Sequence, residues 1–160
     1  MTRISQSGRQ MPPLEPVRPS EHMPPGTALA SLAARVSAAR ILREHHVWEA
    51  ARILPDAAGL PDEAKHAPEL HALMEKDAFA AALRLLARSC QPPREFGTLD
   101  QDDDRWIAML VGTGGPRRKR FVRAEHRDPA AAMLIALLRS AATGKSAPPV
   151  HRRPVEADRQ

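Results

Sequence analysis

Residues Thr98 to Gly112 read TLDQDDDRWIAMLVG, and the fold turns on whether they form a helix or a strand. For a helix, Thr98 and Gln101 stand at capping-box spacing, and Asp102, Asp103 and Asp104 suit the positive end of a helix dipole. Trp106, Met109 and Leu110 then share an inward face, and Gly112 stops the element. For a strand, Trp106 to Val111 would pair with Phe121 to Ala124 across the TGGP turn. We take the helix as the expectation and keep the strand as the alternative.

Downstream, PRRKRFVRAEHR follows, with Pro116 as a first helical residue. Asp128 and Pro129 make an N-cap and N1 pair for a last helix that ends before Gly144. Its centre, AAAMLIALL, is apolar nearly all round, so it should be buried or should cover a groove.

Upstream, the spacing predicts a helix from about Thr27 to Glu44, with Leu29, Leu32 and Val36 on one face. A second begins near Val47 and ends or kinks at Pro55, whose ring clashes with the Ala51 carbonyl. Gly59 and Pro61 close that unit. A third runs from Pro68 to Lys76, and a fourth from the N-cap candidate Asp77 to about Cys90, with Phe79, Ala82, Leu83, Leu86 and Cys90 as its apolar stripe. Cys90 reads as a core residue, because no histidine in the sequence has a claim to activate it.

LREHHVWEAARIL (Leu42 to Leu54) lies over LMEKDAFAAALRL (Leu73 to Leu85) at an offset of 31 residues. Trp48 meets Phe79, Ala50 and Ala51 meet Ala81 and Ala82, and Leu54 meets Leu85. Two such copies suggest stacked helical hairpins, in which the aromatic fills the space beside a turn and the alanine allows close approach. His45 and His46 would then lie in a solvated turn. Adjacent residues on a helix point in different directions, so the pair does not suit one metal ion. His66 and His71 are five apart with Pro68 between them. No metal and no cofactor are expected.

Composition bounds the rest. The chain has 160 residues, three phenylalanines, two tryptophans and no tyrosine, and its small and aliphatic side chains favour helix packing. Residues 1–26 are Pro-rich and residues 145–160 lack apolar periodicity, so both are expected to be disordered around a helical domain spanning 27–144. One cysteine excludes an internal disulfide, and the longest apolar run, Ala130 to Leu138, is half a membrane span. A cytoplasmic, soluble protein is expected.

The net charge of +5 permits nucleic-acid contact without requiring it. The densest basic run, Arg117, Arg118, Lys119, Arg120 and Arg123, would supply phosphate contacts or simply be a solvated helix face. Thr143 to Ser146 reads TGKS, but the glycine a phosphate loop needs further upstream is Arg139. Gly112, Gly114 and Gly115 read as a turn, and the aspartates of LDQDDD miss the alternating pattern of a calcium loop. Nothing in the sequence indicates a reaction, so we expect a non-enzymatic protein.

The Trp48–Ala51 and Phe79–Ala82 stretches resemble the second-helix start of tetratricopeptide repeats, although the usual glycine before the aromatic is missing and the offset is short. DAFAAALRLLA, RWIAMLVG and DPAAAMLIALL, in this order, resemble the small tetratricopeptide-like chaperones of type III secretion that hold the needle subunit. That likeness implies an all-α fold of about six short helices, with a concave surface that receives a partner's amphipathic helix. Candidate groove residues are Leu32, Val36, Arg40, Leu70, Met74, Trp106 and Met109. A nucleic-acid-associated protein using Arg117 to Arg123 is the alternative.

Overall fold

The structure, a computed structural model, describes residues 23–112 and 119–143, together with the backbone of Thr113. Within them lie six helical elements and one antiparallel sheet: α1 (Pro25–Ala38), α2 (Glu44–Ala58), α3 (Asp62–Lys65), α4 (Pro68–Glu75), α5 (Phe79–Ser89), β1 (Arg94–Asp102), β2 (Arg105–Thr113), β3 (Lys119–His126) and α6 (Pro129–Thr143). The fold is therefore mixed α and β, and the all-α expectation is overturned. The expectations for residues 1–22, Pro116, Arg117, Arg118 and the tail from Gly144 lie outside the described residues.

The opening stretch is a hairpin. Asp102 pairs with Arg105, leaving Asp103 and Asp104 as a two-residue turn, and Asp103 takes φ +51. Aspartate tolerates left-handed backbone better than most side chains, so the residues that resembled a helix start serve the turn instead. Strand order is β1-β2-β3, and β2 pairs with β3 through Ala108 with Ala124 and Val111 with Phe121. The strand alternative holds, and Trp106, Met109 and Gly112 all lie in β2.

α6 is the centre of the molecule. Residues from Ala130 to Leu138 are all buried, and the helix packs on β2 and β3 from one side and on α1, α2 and α5 from the other. Enclosure between two layers is why its sequence is apolar nearly all round. It starts as expected: Asp128 Oδ1 accepts the Ala130 N–H at 2.9 Å, with Pro129 as the first helical residue.

Asp128 also decides where α1 stops. Its Oδ2 accepts the Leu42 N–H at 2.6 Å, which helps draw residues 39–43 out of helical geometry. His126 ties down the same segment. Its Nδ1 accepts the Asp128 N–H at 2.9 Å, so its proton sits on Nε2, which donates to the Ala39 carbonyl at 2.9 Å. The expected run to Glu44 therefore ends six residues early.

α2 begins at Glu44 rather than Val47, so His45 and His46 occupy its first turn. His46 is buried and its Nδ1 accepts the Arg43 N–H at 3.2 Å. The helix continues past Pro55 to Ala58, and Gly59 closes it at φ +63. A Cβ at Gly59 would come within 2.9 Å of the Gln91 carbonyl oxygen, so both the conformation and the space demand glycine. Asp77 does not cap α5. It turns at φ +53, and Ala78 is the residue before the helix.

The two sequence copies do not become equivalent hairpins. Trp48 lies in the second turn of α2, donates to Glu44 at 2.9 Å and packs on the His71 ring, whereas Phe79 is the first residue of α5. Ala51 and Ala82 are both buried, but Ala50 is buried and its counterpart Ala81 is exposed. α1 packs mainly on α6, so the helices close around that helix instead of stacking as repeats.

Candidate interaction surface

Most of the expected groove is core. Leu32, Val36, Leu70 and Met74 are at most 2% exposed, so they are not available to a partner. Arg40 is exposed in the segment between α1 and α2, and Trp106 is half-buried against the core at the start of β2. Met109 alone among the seven lies on an apolar surface that none of the described helices covers.

That surface is the outer face of the sheet. Along β2, Ala108 and Leu110 are buried toward α6, and Gly112 lies near Ser140 on that helix. Ile107, Met109 and Val111 therefore point the other way, where all three are half-buried. Register extends the outer face laterally. Glu95 and Phe121 flank Val111, Thr98 and Arg123 flank Met109, and Asp100 and Glu125 flank Ile107. Phe121 is 63% exposed, the largest exposure among the large hydrophobic side chains described. A bulge at Gly97 in β1 leaves a position without a side chain beside Val111.

The basic run is part strand. Lys119, Arg120 and Arg123 are exposed on β3, correcting the expected helix face. Arg120 Nη1 donates to the Thr143 carbonyl at 3.1 Å, and Arg123 pairs with Glu125 at 2.8 Å. The described residues hold fifteen basic and fifteen acidic side chains, so the excess positive charge lies outside them.

Two buried polar groups lie under the inner face of the sheet, at its Gly112 end. Arg94 is 5% exposed, its Nε donates to Ser140 Oγ at 2.8 Å, and its Nη1 reaches the Ala58 carbonyl at 3.5 Å. Among the described residues no carboxylate pairs with it. The carbonyl ends of α2 and α6 supply the compensating negative potential. Cys90 beside it is buried, and burial pushes its thiol pKa up against the opposing pull of Arg94, which is the setting of an inert thiol.

Around the first turn of α2, burial and the neighbouring His45 lower the His46 pKa. Arg35 bonds Glu49 and holds that carboxyl below its usual range. A shallow cleft of about 290 Å³ lies between the start of α1 and α2, lined by residues including Met23, Glu49, Arg52 and Asp56. No group of three or more His, Cys, Asp or Glu side chains among the described residues could hold a metal ion, and no described helix is long and apolar enough to cross a membrane.

Comparison with protein-family models, with curated proteins and with solved structures finds no match.

Ile107, Val111 and Phe121 are the surface residues that the sequence reading missed. Their signal was present, because β2 is apolar at odd and even positions alike. A sheet with one wet face shows alternation instead.

Proposed function

We propose that this chain is a non-enzymatic protein-binding module that works through the outer face of its sheet. The observation that carries the reading is the apolar central strand on that face, with Ile107, Met109 and Val111 in line and Phe121 standing beside them. A contiguous apolar patch rimmed by charges marks a contact surface more often than a solvated one. The lone buried cysteine fits a cytoplasmic setting. Capture of a helix in a concave groove is not carried forward, since four of the seven residues assigned to it, Leu32, Val36, Leu70 and Met74, fill the core.

A photo-crosslinking side chain at Met109 or Phe121, with Glu63 on α3 as the reference position, tests the reading. Adducts to protein are expected from the two sheet positions and not from the reference. Equal yields from all three would overturn it.

One observation favours nucleic acid as a second reading: Phe121 is exposed between Lys119 and Arg123, as a stacking ring beside phosphate contacts would be. The balanced charge of the described residues and the acidic β1 edge weigh against it. Affinity for a labelled oligonucleotide that falls steeply with salt, and on replacing Arg117, Arg118 and Arg120, is the result it requires.

A further inference from the structure

We propose that the segment joining α1 to α2 is an acid-released clasp, held shut by two neutral histidines from different parts of the chain, His46 in α2 and His126 at the end of β3. The proposal goes beyond the sheet face and does not depend on it.

Side chains hold this connector, residues 39–43, at both ends and in the middle. His126 Nε2 donates to the Ala39 carbonyl at 2.9 Å, Asp128 Oδ2 accepts the Leu42 N–H at 2.6 Å, and His46 Nδ1 accepts the Arg43 N–H at 3.2 Å. Both imidazoles are less than a tenth exposed. Each accepts a backbone N–H through Nδ1, His46 from Arg43 and His126 from Asp128. An imidazolium has two N–H donors and no acceptor, so neither bond survives protonation of its ring. The closed connector therefore needs both rings neutral.

The charges around each ring reinforce this. His46 has His45 on its own helix, with ring centroids 4.1 Å apart, Arg43 on the connector, and Arg35, the one charged residue of α1. The carboxylate facing it, Glu49, is already bonded to Arg35. Burial first, and His45 next, hold the His46 pKa below the usual imidazole value.

Around His126, β2 sets the uncharged Trp106 opposite, and the connector brings exposed Arg40 next to Ala39. α6 opens with Pro129 and carries no charge before Arg139. Of its chain neighbours, Glu125 pairs with Arg123 at 2.8 Å and Arg127 with Asp104 at 3.4 Å. The carboxylate beside the ring is Asp128, which caps α6 through Oδ1 and holds Leu42 through Oδ2. A proton added at Nδ1 faces the Asp128 N–H and turns the ring toward that carboxylate, drawing Oδ2 off Leu42. One proton thus loosens two of the connector's bonds.

Opening takes up a proton at each ring, so it is opposed above about pH 6.5, where a free imidazole is neutral, and favoured below it. Release frees Leu42, which is 3% exposed when the clasp is shut, and the carbonyl end of α1. α6 stays enclosed by the sheet, α2 and α5.

Amide hydrogen exchange of the full chain between about pH 7.5 and 5, corrected for the intrinsic pH dependence of exchange, tests this. Protection of the Leu42 and Arg43 amides should fall below pH 6.5 by more than tenfold, and up to about a hundredfold, per pH unit, because two protons bind on opening. The Leu110 and Leu134 amides, in β2 and α6, should keep theirs. His46→Asn and His126→Asn each retain an acceptor that does not titrate, and each should reduce the dependence to about tenfold per unit. Should a variant misfold, ring-nitrogen NMR of the wild type decides: both rings should be neutral with the proton on Nε2 at pH 7.5, and should protonate over the range in which the connector amides lose protection.

A wild-type dependence of tenfold per unit or less overturns the proposal. So does loss of connector protection only together with Leu110 and Leu134, which is global unfolding, or a dependence unchanged by both substitutions.

Discussion

The two faces of β2 are made from nearly the same side chains and meet opposite fates. Ala108 and Leu110 look inward and are fully buried under α6. Ile107, Met109 and Val111 look outward and remain half-buried, with only their neighbours in the sheet to cover them among the described residues. Apolar character alone therefore does not say which positions form the core. The inner face has a helix supplied by the chain itself. The outer face has the composition of a covered surface, and nothing among the described residues covers it, which is why it is read here as an interface.

The sharpest way to break that contrast is to treat both faces alike. Leu110→Ala removes a fully buried side chain between the sheet and α6 and should destabilise the chain by about 3–4 kcal/mol, within the usual range for such truncations. Urea denaturation at low protein concentration measures it. A loss below about 1 kcal/mol would mean that the inner face is no better packed than the outer one.

Asp128 joins the inner helix to the rest of the chain, and its loss should be the next largest. Its two oxygens cap α6 and hold the Leu42 N–H, which links β3, α6 and the segment before α2. Asp128→Ala should lose about 2–3 kcal/mol, combining a missing N-cap with an unpaired amide. Asp128→Asn keeps an acceptor at each role in part and should recover some of it. Equal losses from the two variants would show that hydrogen bonding at this joint is not what stabilises it.

The Asp128 joint shows which parts of the fold were legible. The Asp-Pro start of α6, its apolar circumference, the glycine stop at Gly59 and the stripe of α5 were readable because each is a local signal reinforced by its surroundings. The sheet was misread because its local signals serve two structures. Thr98 and Gln101 have capping-box spacing, and three aspartates suit either a helix start or a two-residue turn. An unbroken apolar run such as WIAMLV does not reveal its period. The repeat was misread for a different reason. Trp48 and Phe79 match in sequence, but the Asp128 and His126 bonds end α1 early, and no local pattern reports a contact 86 residues away. Of the apolar side chains on the outer face, only Met109 stood among the candidate groove residues, since the helical reading scattered its neighbours around a cylinder.

A smaller effect is expected in acid. Burial and the adjacent His45 lower the folded-state pKa of His46 from the usual imidazole value of 6.5, so folding favours the neutral ring that accepts the Arg43 N–H. The unfolded chain binds the extra proton. Stability from this group is thus complete above about pH 6.5 and is lost as pH falls toward the lowered folded value. One proton limits the slope to about 1.4 kcal/mol per pH unit. His46→Asn keeps an acceptor without a titrating ring, so its stability should vary less with pH between 6.5 and 5. An unchanged slope in the variant would move the acid sensitivity elsewhere.

The smallest change in stability belongs to the counterpart of Leu110 on the other face. Met109→Ala shortens a side chain of similar size on the same strand, one residue away, yet in dilute solution it should alter unfolding by less than about 1 kcal/mol. Its effect should grow when a protein captured by the Phe121 crosslinker is added, because a contact between molecules stabilises the folded chain by mass action while a contact within one does not. Wild-type midpoints that rise with that protein and Met109→Ala midpoints that rise less would place Met109 in an intermolecular contact. Midpoints unmoved in both would leave the difference between the faces as one of packing alone. A loss as large as that of Leu110→Ala would show that the outer face already carries the monomer's stability and is no interface.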